Sequence, residues 1–328
     1  MDFMRLYLVF LGFFVSFAVF SFLIKRLAVG HKSRDFVPGG KVKKNASPIG
    51  GVCFVLSFFI SIGVYWLYVG VPKVLECLIL IPIFGMFAIG FLDDAVKILQ
   101  NNHKGISARF KLVLQFAVAT VFAYFAYIKN GGLLYVPIFF GKIVLLDIGV
   151  LWLPFSVFIM VATSNASNLT DGLDGLLGKQ ALALLVFSAA MICGLNGAEN
   201  RGFSLDVILL FAGILIAFLV FNSNPASVFM GDSGSLMLGG LVSALFIQYG
   251  LHLLLPIVCL VFLLEAVSVI MQVYYFKFTG GKRIFRMTPI HHHFELLGYP
   301  EQKITDVAFC ITVMLCAFGY YVFFAWAN

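Results

Sequence analysis

Five aspartates stand where apolar runs of this chain end: Asp93 and Asp94 in Gly90–Lys97, Asp171 and Asp174 in Asn165–Leu176, and Asp232 in Phe229–Ser235. A carboxylate at the edge of a membrane is costly without a cation, a partner or water. Five of them, from three stretches, read as one built site. The plainer account is five helix caps and surface charges, because helix ends favour Asp. Carboxylate and amide oxygens suit Mg²⁺ or Mn²⁺ better than a thiolate metal. Such an ion bridges phosphate oxygens while nearby Lys and Arg offset the anionic charge. The chemistry implied is a metal-assisted phosphoryl transfer.

Each stretch has its own logic. Lys97 follows Asp93 by four residues, so a helical ion pair accounts for part of the first; a phosphate–metal centre with one proton acceptor accounts for both carboxylates. In the second, Asp171 and Asp174 are three apart and would share a face in a helical turn. Gly172 and Gly175 let backbone approach a ligand, and Asn165 and Asn168 add donors and acceptors. Two Asn-x-Ser/Thr matches there are too short a pattern to count, on a side expected to be cytoplasmic. In the third, Asp232 or Ser233 would cap the next helix, whose free N–H groups also suit a phosphate.

Further on, Lys282–Glu295 holds His291, His292 and His293 in a row. Helix neighbours differ by about 100°, so three consecutive rings cannot serve one metal, and HExxH is absent. Donation to phosphate or sugar oxygens is expected, against a solvated loop as the alternative. The six cysteines lie in apolar runs with no CxxC. No Walker A or dinucleotide GxGxxG pattern supports ATP or nicotinamide chemistry. No nucleic-acid partner is expected.

The elements that must hold these residues are membrane helices. Of 328 residues 62% are hydrophobic and 11% charged, against roughly 25% charged in soluble domains; mean hydropathy is +1.03. A water-soluble enzyme, a disordered chain and a disulfide scaffold are excluded. We expect an all-α polytopic membrane protein, one integral membrane domain over 1–328, with about ten spans. They are Phe3–Ile24 (a retained helix, not a cleaved signal), Ile49–Val71, Leu75–Leu92, Leu112–Ile128, Ile148–Ser164, Leu176–Leu195, Val207–Phe221, Ser235–Tyr249, Leu253–Phe276 and Val307–Trp326. The loops on the aspartate side carry 17 of the 22 Lys and Arg residues. The positive-inside rule makes that side cytoplasmic, with both termini outside. Those cations also meet anionic membrane lipids.

Taken together, GFLDDAVK, NASNLTDGLDGL and FMGDSGS resemble the polyprenyl-phosphate N-acetylhexosamine-1-phosphate transferase family. RIFRMTPIHHHFE is similar to the histidine loop of its muramoyl-pentapeptide branch. The likeness runs from about Lys43 to the last span. It implies a Mg²⁺-dependent reaction in the bacterial inner membrane, with a cytoplasmic cleft. UDP-N-acetylmuramoyl-pentapeptide and undecaprenyl phosphate would give lipid I and UMP, the first membrane step of peptidoglycan synthesis; the sequence leaves both direct attack and a covalent aspartyl intermediate open, and direct attack is favoured. By motif it implies Asp232 as principal Mg²⁺ ligand with Asp171, and Asp93 and Asp94 as the catalytic pair engaging the lipid phosphate. Asn165, Asn168, Asp171 and Asp174 would line the nucleotide and sugar loop, and Phe229 would stack on uracil near Asn222. Lys43, Lys97, Arg109, Gln272, His291, His292 and His293 would line the cleft. Related enzymes form homodimers, so a homodimer is expected.

Two departures from the family's pattern stand out. Pro48 takes a position where a hydroxyl is usual, with Ser47 beside it, and Arg109 brings a planar fork where an ammonium would differ. Two other readings compete: a sibling enzyme using UDP-N-acetylglucosamine, and an ion-coupled transporter. The histidines and Glu295 favour the muramoyl branch. Acids gathered at one face, without a path through the midplane, oppose the transporter.

Overall fold

A computed structural model describes residues 5–27, 49–100, 105–138, 142–194 and 202–324. Lys43 and the Ala46–Pro48 segment lie outside them. The chain forms α1 (Tyr7–Leu27), α2 (Gly50–Val69), α3 (Leu80–Leu99), α4 (Ala108–Asn130), a hairpin of β1 (Leu133–Ile138) and β2 (Lys142–Asp147), α5 (Trp152–Thr170), α6 (Leu176–Gly194), α7 (Phe203–Asn222), α8 (Gly231–Gln248), short α9 (Leu255–Val258), α10 (Leu260–Phe278), short α11 (Ile290–Leu296) and α12 (Glu301–Phe324).

Nine helices among the described residues are long and apolar enough to cross a membrane. The tenth expected span is α8, and its setting explains its different composition. Every residue of α8 except Asp232 is buried. A helix wrapped by protein needs small residues for close approach more than it needs lipid-compatible side chains. Gly239 lies against the Ser164 and Ser167 backbone and side chains of α5. There Ser164 Oγ donates to the Leu236 carbonyl at 2.9 Å and Ser167 Oγ to the Ser235 carbonyl at 2.8 Å. Such interhelical bonds contribute about 0.6 kcal/mol each, up to about 1.7. On its other side α8 packs against α3, so α3, α8 and α5 form the centre of the bundle.

Two features depart from the sequence expectation. The β1–β2 hairpin, antiparallel with Leu133 opposite Asp147, was not anticipated. Its β-branched and aromatic residues suit a strand pair. It is tied to the far end of α8: the Tyr135 N–H donates to the Gly250 carbonyl at 2.9 Å, and Asn130 Nδ2 to the Gln248 carbonyl. The expected span Leu253–Phe276 is broken at Cys259 between α9 and α10.

Candidate active site

The site is assembled where the last turns of α3, the start of α4 and the first turn of α8 meet. Acids near the C-terminus of a helix oppose its dipole, so Asp93 and Asp94 need outside partners. Asp94 finds them on α8. Its two carboxylate oxygens accept the Asp232 N–H at 3.2 Å and the Ser233 N–H at 2.9 Å. This corrects the expected cap. The N-cap position is Met230, with no side-chain cap, and the orphan amides are satisfied by a carboxylate from another helix. Hydrogen bonds to a charged group are worth about 1.5–3 kcal/mol, more than the unfavourable dipole term. The contact requires α3 to press on α8, and Gly90 permits it: a Cβ there would overlap the Asp232 and Ser233 backbone. Likewise Gly50 and Gly51 donate their N–H groups to the Phe229 and Met230 carbonyls at 3.0 and 2.9 Å.

Asp93 Oδ1 accepts the Ile106 N–H at 3.0 Å. Its Oδ2 lies 2.5 Å from Lys97 Nζ, so the helical ion pair forms. Lys97 also reaches Asp232 Oδ2 at 2.9 Å and approaches Asp94 Oδ1 at 3.8 Å. Lys111 Nζ lies 2.6 Å from Asp232 Oδ2 and 3.8 Å from Asp93 Oδ2. One oxygen from each of Asp93, Asp94 and Asp232 falls within 4.8 Å of the others. Three carboxylates against two ammoniums leave a formal charge of −1. The all-oxygen donor set fits a small hard divalent cation, and two ammoniums already bridge the same oxygens. Of the five aspartates expected in one site, Asp93, Asp94 and Asp232 converge here from distant stretches.

The expected cation Arg109 is exposed on the first turn of α4. Lys111, two residues on, is the one that reaches the acids. Asp171 lies outside the three-carboxylate group. The helical turn expected to align it with Asp174 does not form: α5 ends at Thr170, and Asp171 is its half-buried C-cap. Asp174 points inward. Its carboxylate accepts Asn224 Nδ2 at 3.2 Å and the Ala226 N–H at 3.0 Å, while its own N–H donates to Glu301 Oε1. Asn222, also buried, accepts the Gly175 N–H at 3.0 Å and donates to the Val228 carbonyl at 2.7 Å. These two residues fix the turn that leads into half-buried Phe229. Asn165 Nδ2 donates to Gln115 Oε1 at 2.8 Å, and Asn168 Nδ2 to Ser235 Oγ at 2.8 Å.

The histidine arm closes the same end of the bundle. Gln272 Oε1, on α10, accepts the Ile284 and Phe285 N–H groups at 3.1 and 2.9 Å. The three rings take different partners, although those of His291 and His292 lie 4.2 Å apart. His291 Nδ1 pairs with Glu265 Oε2 at 2.9 Å, His292 Nδ1 with Glu295 Oε2 at 3.0 Å, and His293 Nδ1 accepts the Arg286 N–H at 3.1 Å. Burial and the neighbouring His291 push the His292 pKa below the usual imidazole value, although Glu295 opposes this. Lys111, Glu265 and Glu301 are thus contributors that the sequence reading passed over. An ionisable residue inside an apolar span was the available signal for Glu265.

The family model of glycosyl transferase family 4 matches residues 77–250, which hold the acid cluster and both central loops. The chain is 37% identical over 301 residues to a phospho-N-acetylmuramoyl-pentapeptide-transferase of Caldanaerobacter subterraneus subsp. tengcongensis, covering 91% of each chain. It is 39% identical over 313 residues to the protein of that name from Listeria monocytogenes serotype 4b, covering 92% of this chain and 94% of that one. A relative of the same name from Oceanobacillus iheyensis is 39% identical over 311 residues, covering 93% and 92%.

Proposed function

The chain belongs to glycosyl transferase family 4, and from that premise we infer that it transfers phospho-N-acetylmuramoyl-pentapeptide to a lipid phosphate. The donor is UDP-N-acetylmuramoyl-pentapeptide, the acceptor undecaprenyl phosphate, and the products are lipid I and UMP. The observation that carries the chemistry is the meeting of Asp93, Asp94 and Asp232 with Lys97 and Lys111 at one end of a membrane bundle. A lipid phosphate and a soluble nucleotide can both reach such a place. The reading puts that end toward the cytoplasm of a bacterial inner membrane, in keeping with the bias of Lys and Arg, and takes the working form as a homodimer.

Direct attack fits the residues. A lipid phosphate oxygen bonds to the β-phosphorus of the donor, the bond from that phosphorus to the α–β bridging oxygen breaks, and UMP leaves. Lys97 and Lys111 hold phosphate oxygens and offset their charge. Asp94 spends both oxygens on the amides of α8 and serves as an anchor. Asp93, whose Oδ1 accepts one amide and whose Oδ2 faces Lys97, takes a proton from the lipid phosphate when that group is monoprotonated. Asp232, with Asp93 and Asp94 beside it, would hold Mg²⁺, which when bound supplies Lewis-acid stabilisation of the phosphoryl oxygens. Phe229 offers its ring to uracil.

The test is UMP release from purified protein in detergent. Release should require the muramoyl donor, undecaprenyl phosphate and Mg²⁺ together. Turnover of UDP-N-acetylglucosamine alone would replace this reading with the sibling activity, and release without added divalent ion, in the presence of a chelator, would remove the metal.

A further inference from the structure

Glu265 is the one ionisable residue in the apolar body of α10 and is 3% exposed. An acid at that depth demands a partner, and it has one: Oε2 faces His291 Nδ1 at 2.9 Å and the His291 N–H at 3.3 Å. A carboxylate oxygen that already accepts the His291 N–H faces Nδ1, the arrangement that favours a proton on Nδ1. In the neutral ring of that tautomer the other nitrogen is a bare lone pair. His291 is 1% exposed, and its Nε2 is buried with no hydrogen-bond partner among the described residues. An unsatisfied buried polar atom is costly, so it calls for a partner. What covers it is unusually thin. A Cβ on Gly172 would overlap Nε2 and Cε1 of His291, while Gly172 itself is exposed. One backbone turn, between Asp171 and Asp174, separates a primed imidazole from solvent.

We propose that Glu265 is a positioning residue that holds His291 with its bare Nε2 toward the Gly172 turn, as an acceptor for an uncharged O–H or N–H of the sugar-peptide donor. This rests on the proposed reaction. A lone pair repels phosphate oxygens, so the contact belongs to the sugar or peptide and not to the diphosphate. It reverses, for His291, the donor role expected from sequence. Access requires the Gly172 turn to shift when the donor enters. Carboxylates that orient a histidine in this way are commonly worth 10–100-fold where the histidine binds a metal, and a comparable factor is expected here.

The test reads the tautomer directly, without turnover. In full-length protein labelled with ¹⁵N-histidine, His291 signals are assigned by their loss in His291→Gln. They should show Nδ1 protonated and Nε2 bare. Adding UDP-N-acetylmuramoyl-pentapeptide without acceptor lipid should move the Nε2 resonance toward its hydrogen-bonded position, and UDP alone should not. Glu265→Ala should release the tautomer and lower donor kcat/KM about 10–100-fold, with the acceptor KM within about twofold; Glu265→Gln, which keeps an acceptor oxygen, should recover part of the loss. A wild-type ring protonated at Nε2, an Nε2 signal that UDP moves equally, or an Ala variant with unchanged donor kinetics would overturn the proposal. Should Glu265→Ala fail to fold, the wild-type spectra still decide. Absence of UMP release from wild type would instead remove the reaction and leave the tautomer result standing.

Discussion

The two ends of the bundle treat buried charge in opposite ways. At the hairpin end, Asp206 near the start of α7 is 4% exposed and paired: Tyr65 donates to Oδ2 at 2.6 Å, and Arg5 lies 3.2 Å from Oδ1. His252 is closed there too, between Trp152 and Phe155, with Ser156 Oγ 2.7 Å from Nε2. At the Asp232 end, three carboxylates compete for two ammoniums. The ends are joined by α2, in which Tyr65 stands 15 residues, roughly 22 Å, beyond Gly50. One end balances each charge with a partner and so fastens α1, α2 and α7. The other holds a cluster that, among the described residues, has one carboxylate more than its ammoniums, in reach of solvent, which is what a site for cations and phosphates requires. Surplus charge, more than burial, separates the chemical end from the structural one.

That contrast can be broken by mutation. Asp232→Ala should lower turnover on the order of 10³-fold or more, with the thermal midpoint in detergent little changed; normal UMP release would make the two ends equivalent. Lys111→Ala should cost about 10²-fold, with Arg restoring little because a fork replaces a point charge. At the hairpin end the effects should fall on stability. Burial pushes the His252 pKa down to about 4 from 6.5. The folded ring therefore binds its proton less readily than the unfolded chain does, and stability rises with pH. The contribution is whole above about pH 6.5 and lost as pH falls through about 4, on the order of 3 kcal/mol; a denaturation series over that range that stays flat in wild type would count against it. Tyr65→Phe should cost about 1.5 kcal/mol of stability and leave turnover within about twofold. Smallest of all, Arg109→Ala should leave kcat/KM within about twofold.

Much of this arrangement can be read in the chain, and the failures share a cause. Long charge-poor runs announce spans because lipid tolerates little else, and acids at their edges located Asp93, Asp94 and Asp232. Even α8 was legible from its lack of charge, although its burial depends on neighbours far away in sequence. What one-dimensional reading lacks is direction. Arg109 and Lys111 are two residues apart, hence about 200° apart around α4, and only geometry decides which faces the acids. Asp174 and Asp171 look alike in a motif, yet one is consumed by the Asn224–Ala226 turn. The hairpin was absorbed into a loop because its strands are short, six residues each. Glu265 stood out as an acid in an apolar run, but its partner His291 lies 26 residues away in the chain.

The crowded corner at the base of α8 has a consequence for selection. Gly50, Gly51 and Gly90 there leave no room for even one methyl group. Substitution by any larger residue is therefore barred from the wall behind Asp232. A compound that relied on the shape of that wall would meet a target with few routes of escape.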